Sequence, residues 1–143
     1  MRPALAVVTV DGRRFRVSEE ADYPGVLIGF VHPVGRLQPN RPLHASTEMR
    51  FKLFSDDAGD TRGLVANIAV DVERQRQGWA TSLVRVLLQQ YPDTAWAVES
   101  PNEKSGQLFV HLAEVHPGHV LPPYEDEALP VGHARRYKTN PPS

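Results

Sequence analysis

Two hydrophobic periods follow one another along the middle of the chain. Met49, Phe51 and Leu53 alternate with Arg50 and Lys52, the period-2 pattern of a strand with one buried face, and Asp56-Asp57-Ala58-Gly59-Asp60 then reads as a turn. Residues 64–70, Leu-Val-Ala-Asn-Ile-Ala-Val, are nearly all apolar, which predicts a strand covered on both faces. The two strands are expected to pair antiparallel, with the second one central. From Ala80 the spacing changes, because Leu83, Val84, Leu87 and Leu88 repeat at helical intervals until Tyr91-Pro92-Asp93 stops them. A further strand is expected within residues 94–99. Ser105, Leu108, Phe109, Leu112 and Ala113 then give a second helical stripe, with Asn102 as its N-cap.

Before this core the pattern is looser. Residues 6–10 and 13–17 are β-prone and flank Asp11-Gly12, which predicts a two-residue type I′ hairpin. Residues 26–31 form another apolar run, and residues 32–46, carrying Pro33, Pro39 and Pro42, read as a surface loop. No proline falls between Leu43 and Tyr91, whereas seven fall from Pro101 onward. Regular structure is therefore expected in the middle and a loop-rich end after it. Together these elements predict one α/β domain over residues 1–120, with a mixed, mostly antiparallel sheet and flanking helices, and a Pro-rich tail over residues 121–143.

Composition narrows the function classes. The 143 residues contain 16 Lys and Arg, 17 Asp and Glu, and no cysteine, for a formal charge of -1. Zero cysteine excludes disulfide scaffolds, thiolate zinc sites and a cysteine nucleophile, and fits a cytoplasmic protein. No apolar run approaches the roughly 20 residues of a membrane helix, and no cleavable signal is read at the N-terminus. Near-zero charge gives no general attraction to nucleic acid or anionic lipid. A soluble enzyme or a small binding module remains.

The chemistry is concentrated between the apolar strand and the first helix, in Asp71-Val72-Glu73-Arg74-Gln75-Arg76-Gln77-Gly78-Trp79-Ala80. A strand that turns through glycine into a helix presents unpaired N–H groups and the positive end of the helix dipole. Gly78 and Ala80 leave room for a phosphate to reach the main chain, and Arg74 and Arg76 add charge. An ordinary strand-to-helix connection with solvated side chains is the other reading these residues leave open.

Gln75-Arg76-Gln77-Gly78-Trp79-Ala80 resembles the Arg/Gln-x-x-Gly-x-Gly/Ala signature of the GNAT-type N-acetyltransferases. Its context is similar too: an apolar strand ending Ile68-Ala69-Val70 precedes it, and a strand and then Asn102-Glu103-Lys104-Ser105-Gly106-Gln107-Leu108-Phe109 follow. That last stretch looks like the family's Asn-x-x-Ala-x-x-Leu-Tyr helix opening, with Ser105 for Ala and Phe109 for Tyr. The resemblance covers residues 49–115. It does not cover the N-terminal third, where the family places one or two helices that wall the acceptor site; a reduced helical part is expected here.

What the resemblance implies is transfer of an acetyl or short acyl group from acetyl-CoA to a primary amine by direct attack. Main-chain groups of Ile68, Ala69 and Val70 would pair with the pantetheine arm like an added strand. Amides of Gln75, Arg76, Gln77, Gly78, Trp79, Ala80 and Thr81 would hold the pyrophosphate. Asn102 would hydrogen-bond the pantetheine, and Ser105 and Phe109 would line the arm near the thiol. The family's general-acid Tyr falls at Phe109, which has no proton to give, and its early strand base falls near Leu64. Glu99 is the candidate base, with Glu48 and His111 as substitutes. A catalytically silent acyl-CoA-binding or protein-interaction module on the same fold is the alternative, and a homodimer is compatible with either.

Other residues have plainer readings. Asn67 suits substrate orientation or a bulge in the strand equally. His111, His116 and His119 are split by Pro117-Gly118, so no metal site is expected. Arg135-Arg136-Tyr137-Lys138 is read as a solvated patch of the tail, with contact to nucleic acid as the alternative, and Trp79 and Trp96 as packing residues, Trp79 also suiting the cofactor mouth.

Overall fold

The computed structural model describes residues 4–123, apart from residues 24, 35, 39–40, 43–46 and 56–57. Strands β1 (Ala4–Val10), β2 (Arg13–Tyr23), β3 (Val26–Pro33), β6 (Glu48–Ser55), β7 (Thr61–Ala69) and β8 (Ala95–Val98) form one sheet in the order β1-β2-β3-β6-β7-β8. Neighbours are antiparallel except β7 and β8, which run parallel because helix α1 (Trp79–Gln90) crosses between them. Helix α2 (Glu103–Val115) follows β8. The chain is thus an α/β fold with a mostly antiparallel sheet. No helix among the described residues is long and apolar enough to cross a membrane.

The β1–β2 hairpin turns on Asp11 and Gly12, with φ of 55° and 75°, the pair of positive angles that a type I′ turn demands. β2 runs six residues beyond the expected 13–17. Its extension carries Glu19 and Glu20, so apolar content alone does not reveal it, but the ladder to β3 continues through Tyr23. The expected loop over residues 32–46 is corrected as well. β3 extends through Pro33, and short strands β4 (Arg36–Gln38) and β5 (Arg41–Pro42) pair with each other beyond it. β3 begins immediately after the turn at Gly25, with no helix between it and β2.

One face of the sheet carries the core. Phe15, Val17, Val31, Met49, Phe51 and Val65 pack there against Leu83, Val84, Val86 and Leu87 of α1 and Phe109 and Leu112 of α2. Trp96 lies across Gly63, its register partner, so closely that a Cβ on that glycine would meet the indole at 2.3 Å. Gly63 is the position at which the sheet admits its largest side chain. The opposite face holds a smaller cluster of Val26, Phe54, Leu64 and Ala97. Asn102 caps α2 as expected, accepting from the Ser105 N–H at 2.9 Å while its own N–H donates to Ser105 Oγ at 2.9 Å.

Burial corrects one expectation about β7. Gly63, Leu64 and Val65 are covered on both faces, but Asn67 and Ala69 are exposed and Ala66 and Ile68 only half-buried. Only its central third, from Gly63 to Val65, is interior. The turn expected at residues 56–60 falls partly outside the described residues, as do residues 124–143 of the expected tail, with the basic patch at 135–138.

Candidate functional site

β8 accompanies β7 only from Arg62–Ala95 to Val65–Val98. The Glu99 N–H then donates to the Val65 carbonyl at 2.8 Å, after which no strand among the described residues lies on that side of β7. On its other side β7 stays paired with β6 as far as Ala69–Glu48. The register between them shifts from Phe51–Val65 to Arg50–Asn67, so Ala66 is an extra residue, a bulge placed where the strands separate. Bulges bend a strand and increase its local twist, which suits an opening between neighbours. Residues 66–69 therefore offer an extended backbone with one free edge.

The chain leaving that edge is fixed locally. The Asp71 N–H donates to the buried Thr47 hydroxyl at 3.1 Å, and the Gln75 side chain donates back to the Val70 carbonyl at 3.1 Å. A 3-10 turn over Val72–Arg74 leads to Arg76 and Gly78, both left-handed with φ of 66° and 80°. Left-handed residues spaced among right-handed ones turn successive N–H groups toward one side, the geometry of an anion-binding concavity. Gly78 is the N-cap of α1 and supplies no side-chain cap; the first turn holds no acid. The first bond in the helix runs from the Ser82 N–H to the Gly78 carbonyl at 3.0 Å, so the amides of Trp79, Ala80 and Thr81 have no partner within it.

Arg13, which the sequence reading did not single out, reaches this turn from the N-terminal hairpin. It donates to the Gln77 carbonyl at 2.7 Å and to Ser82 Oγ at 3.1 Å, and its guanidinium lies 4.1 Å from the centre of the Trp79 ring. The Arg74 guanidinium is 5.6 Å from the same ring. Asp11 completes the clamp by accepting from Ser82 Oγ at 2.7 Å and from Arg85 at 3.3 Å. Trp79 also meets Phe15 edge-on at 5.9 Å, so it is both a packing residue and a platform for two arginines.

The remaining expected site residues are spread more widely. Gln75, Arg76, Gln77 and Gly78 are exposed, and Ile68, Val70, Trp79, Ala80 and Thr81 half-buried, all along one continuous segment. Asn102 and Ser105 are engaged with each other in the helix cap; Asn102 borders a cleft of about 590 Å³ with Gly106, Val110 and Pro122. Phe109 is fully buried in the core. Glu99 faces Lys52 with Oε2 3.2 Å from Nζ, each side chain about 15 % exposed. His111 is exposed on α2, and among the described residues no three His, Asp or Glu side chains gather to hold a metal.

Glu48 has a partner that no sequence motif marks: His32 Nε2 lies 2.9 Å from Glu48 Oε1. His32 fell within the expected loop, and only the extension of β3 reveals that it stands beside β6. Compared with known proteins, the chain matches no family model and no curated protein.

Proposed function

We propose that this chain is an acyl-CoA-dependent N-acyltransferase, which moves an acetyl or short acyl group to a primary amine on a GNAT-like sheet. The observation that carries the reading is the succession of a strand pair that parts after Val65 and Val98, a β7 edge over residues 66–69 that no strand among the described residues covers, and an uncapped helix N-terminus at Gly78. The free edge suits the amide-bearing pantetheine arm, which can hydrogen-bond to it as an added strand does. The amides at the start of α1, with Arg74, Arg76 and Arg13 nearby, suit a pyrophosphate. An arm anchored at both places would present its thioester beside residues 66–68.

In the proposed reaction the amine nitrogen attacks the thioester carbonyl carbon directly. A C–N bond forms as the C–S bond breaks, the nitrogen gives up one proton, the electron pair leaves on sulfur, and the thiolate takes a proton from solvent. Holding the two reactants together accounts for much of the rate in such a transfer, and main-chain N–H groups stabilise the oxyanion. No covalent enzyme intermediate is involved. With Phe109 buried and without a hydroxyl, α2 donates no proton from that position.

That same Phe109 favours a second reading, a catalytically silent acyl-CoA-binding module. Incubation with acetyl-CoA and a panel of amines decides between them: release of free thiol that depends on the amine supports the transferase. Phosphate-dependent binding with no thiol release from any amine supports the silent module.

A further inference from the structure

The face of the sheet turned away from α1 carries a row of polar side chains beside the free edge. Met49 and Phe51 point into the core, so by strand alternation Glu48, Arg50 and Lys52 point to the opposite face. Glu48 stands opposite Ala69 and Arg50 opposite Asn67 in the β6–β7 register. These are the exposed residues of β7 next to its open edge. Ala69 ends at Cβ, so its own side chain does not stand between Glu48 and that edge. A ligand backbone along the edge would lie about 10 Å, two strand spacings, from the backbone of β6. The Glu48 side chain reaches about halfway across that distance, over Ala69, toward an acceptor amine lying on this face of the edge.

Glu48 is also held. His32 Nε2 is 2.9 Å from Glu48 Oε1; its side chain is 15 % exposed against 34 % for the glutamate. Phe30 stacks on the imidazole with ring planes 5° apart. The more buried ring thus orients a more accessible carboxylate, the arrangement of a base and the group that positions it. Among the nearby charges Lys52 pairs with Glu99 and Arg74 with Asp71, while Arg16 and Arg50 flank the row from β2 and β6.

We infer that Glu48 is the general base of the acyl transfer, removing the proton that the acceptor nitrogen loses as it attacks the thioester, and that His32 is its positioning residue. This rests on the transferase reading of residues 65–81. The proton passes from nitrogen to the Glu48 carboxylate and from there to solvent; no other reactant is required. Glu99, bound to Lys52, is left as a structural group at the apex of the opening.

Steady-state kinetics and calorimetry on four variants test the inference. Glu48→Gln lowers kcat about 100-fold while the affinity for acetyl-CoA stays within about twofold, and Glu48→Asp falls between it and the parent. His32→Ala lowers kcat about tenfold, and His32→Gln, which still offers an N–H to the carboxylate, restores most of it. Unchanged kcat in Glu48→Gln overturns the inference and leaves the transferase standing. So does loss of acetyl-CoA binding in both Glu48 variants, which marks a structural role. A parent protein that binds acetyl-CoA but acylates no amine overturns the transferase reading and this inference together.

Discussion

Val65 and Val98 are the last partners on the β7–β8 ladder, and the Glu99 N–H closes it on the Val65 carbonyl at 2.8 Å. One residue further, Ala66 bulges from the β6 ladder and the two parallel strands part. Because β7 remains held by β6 and by the bond from Asp71 to Thr47, its far end stays extended with a side that no strand among the described residues covers. The free edge is therefore built into the sheet by register.

The parallel pair depends on a close contact on its core side. Trp96 packs over Gly63 and is held there by Phe51 at 5.5 Å and Tyr91 at 5.9 Å, so the indole has nowhere to retreat. Gly63→Ala is expected to lower stability by about 2 kcal/mol or more through overpacking. A urea midpoint shift at unchanged slope reads this out.

Arg13 joins the hairpin to the helix start. Arg13→Ala removes its bonds to the Gln77 carbonyl and Ser82 Oγ and leaves Trp79 without its nearest cation. Stability is expected to fall by about 1–2 kcal/mol. Affinity for acetyl-CoA is expected to fall about tenfold, an effect that shrinks with added salt because one phosphate-side charge is gone. Calorimetry at two ionic strengths measures it.

Tyr91 gives the fold an alkaline limit. Burial pushes its phenol above the ordinary value of 10.0, and the hydrogen bond to Glu19 and the charge of that carboxylate push it further. In the unfolded chain the phenol ionises near its ordinary value, whereas in the folded protein it stays protonated. Its contribution is thus fully present below pH 10 and is lost progressively as pH rises beyond it. Denaturant unfolding across that range is expected to show declining stability, with a smaller decline in Tyr91→Phe.

Much of this was legible in the residues, for identifiable reasons. The stripes around Leu83 and Leu112 and the Asp11-Gly12 turn are local signals, set by helical period and by positive φ, and each produced its element. The Asn102–Ser105 cap is local as well. Contacts between residues far apart in the chain were not legible. Arg13 meets Gln77 across 64 positions, and nothing in either segment marks the pairing. The exposed half of β7 was hidden because its apolar composition matches that of a buried strand, and only the short reach of β8 uncovers it. His32 was hidden by Pro33, which reads as the start of a loop but is tolerated as the last residue of β3.

Calorimetric titration shows whether the turn before α1 holds the phosphates of an acyl-CoA. The parent protein and Gly78→Glu are each titrated with acetyl-CoA and with pantetheine lacking phosphates. Gly78 is left-handed and lies at the uncapped helix start, so the variant puts bulk and negative charge where the phosphates would sit. The parent is expected to bind acetyl-CoA far more tightly than pantetheine, and Gly78→Glu to lose this difference while remaining folded. Equal affinity of the parent for both ligands, or no binding at millimolar acetyl-CoA, would contradict it.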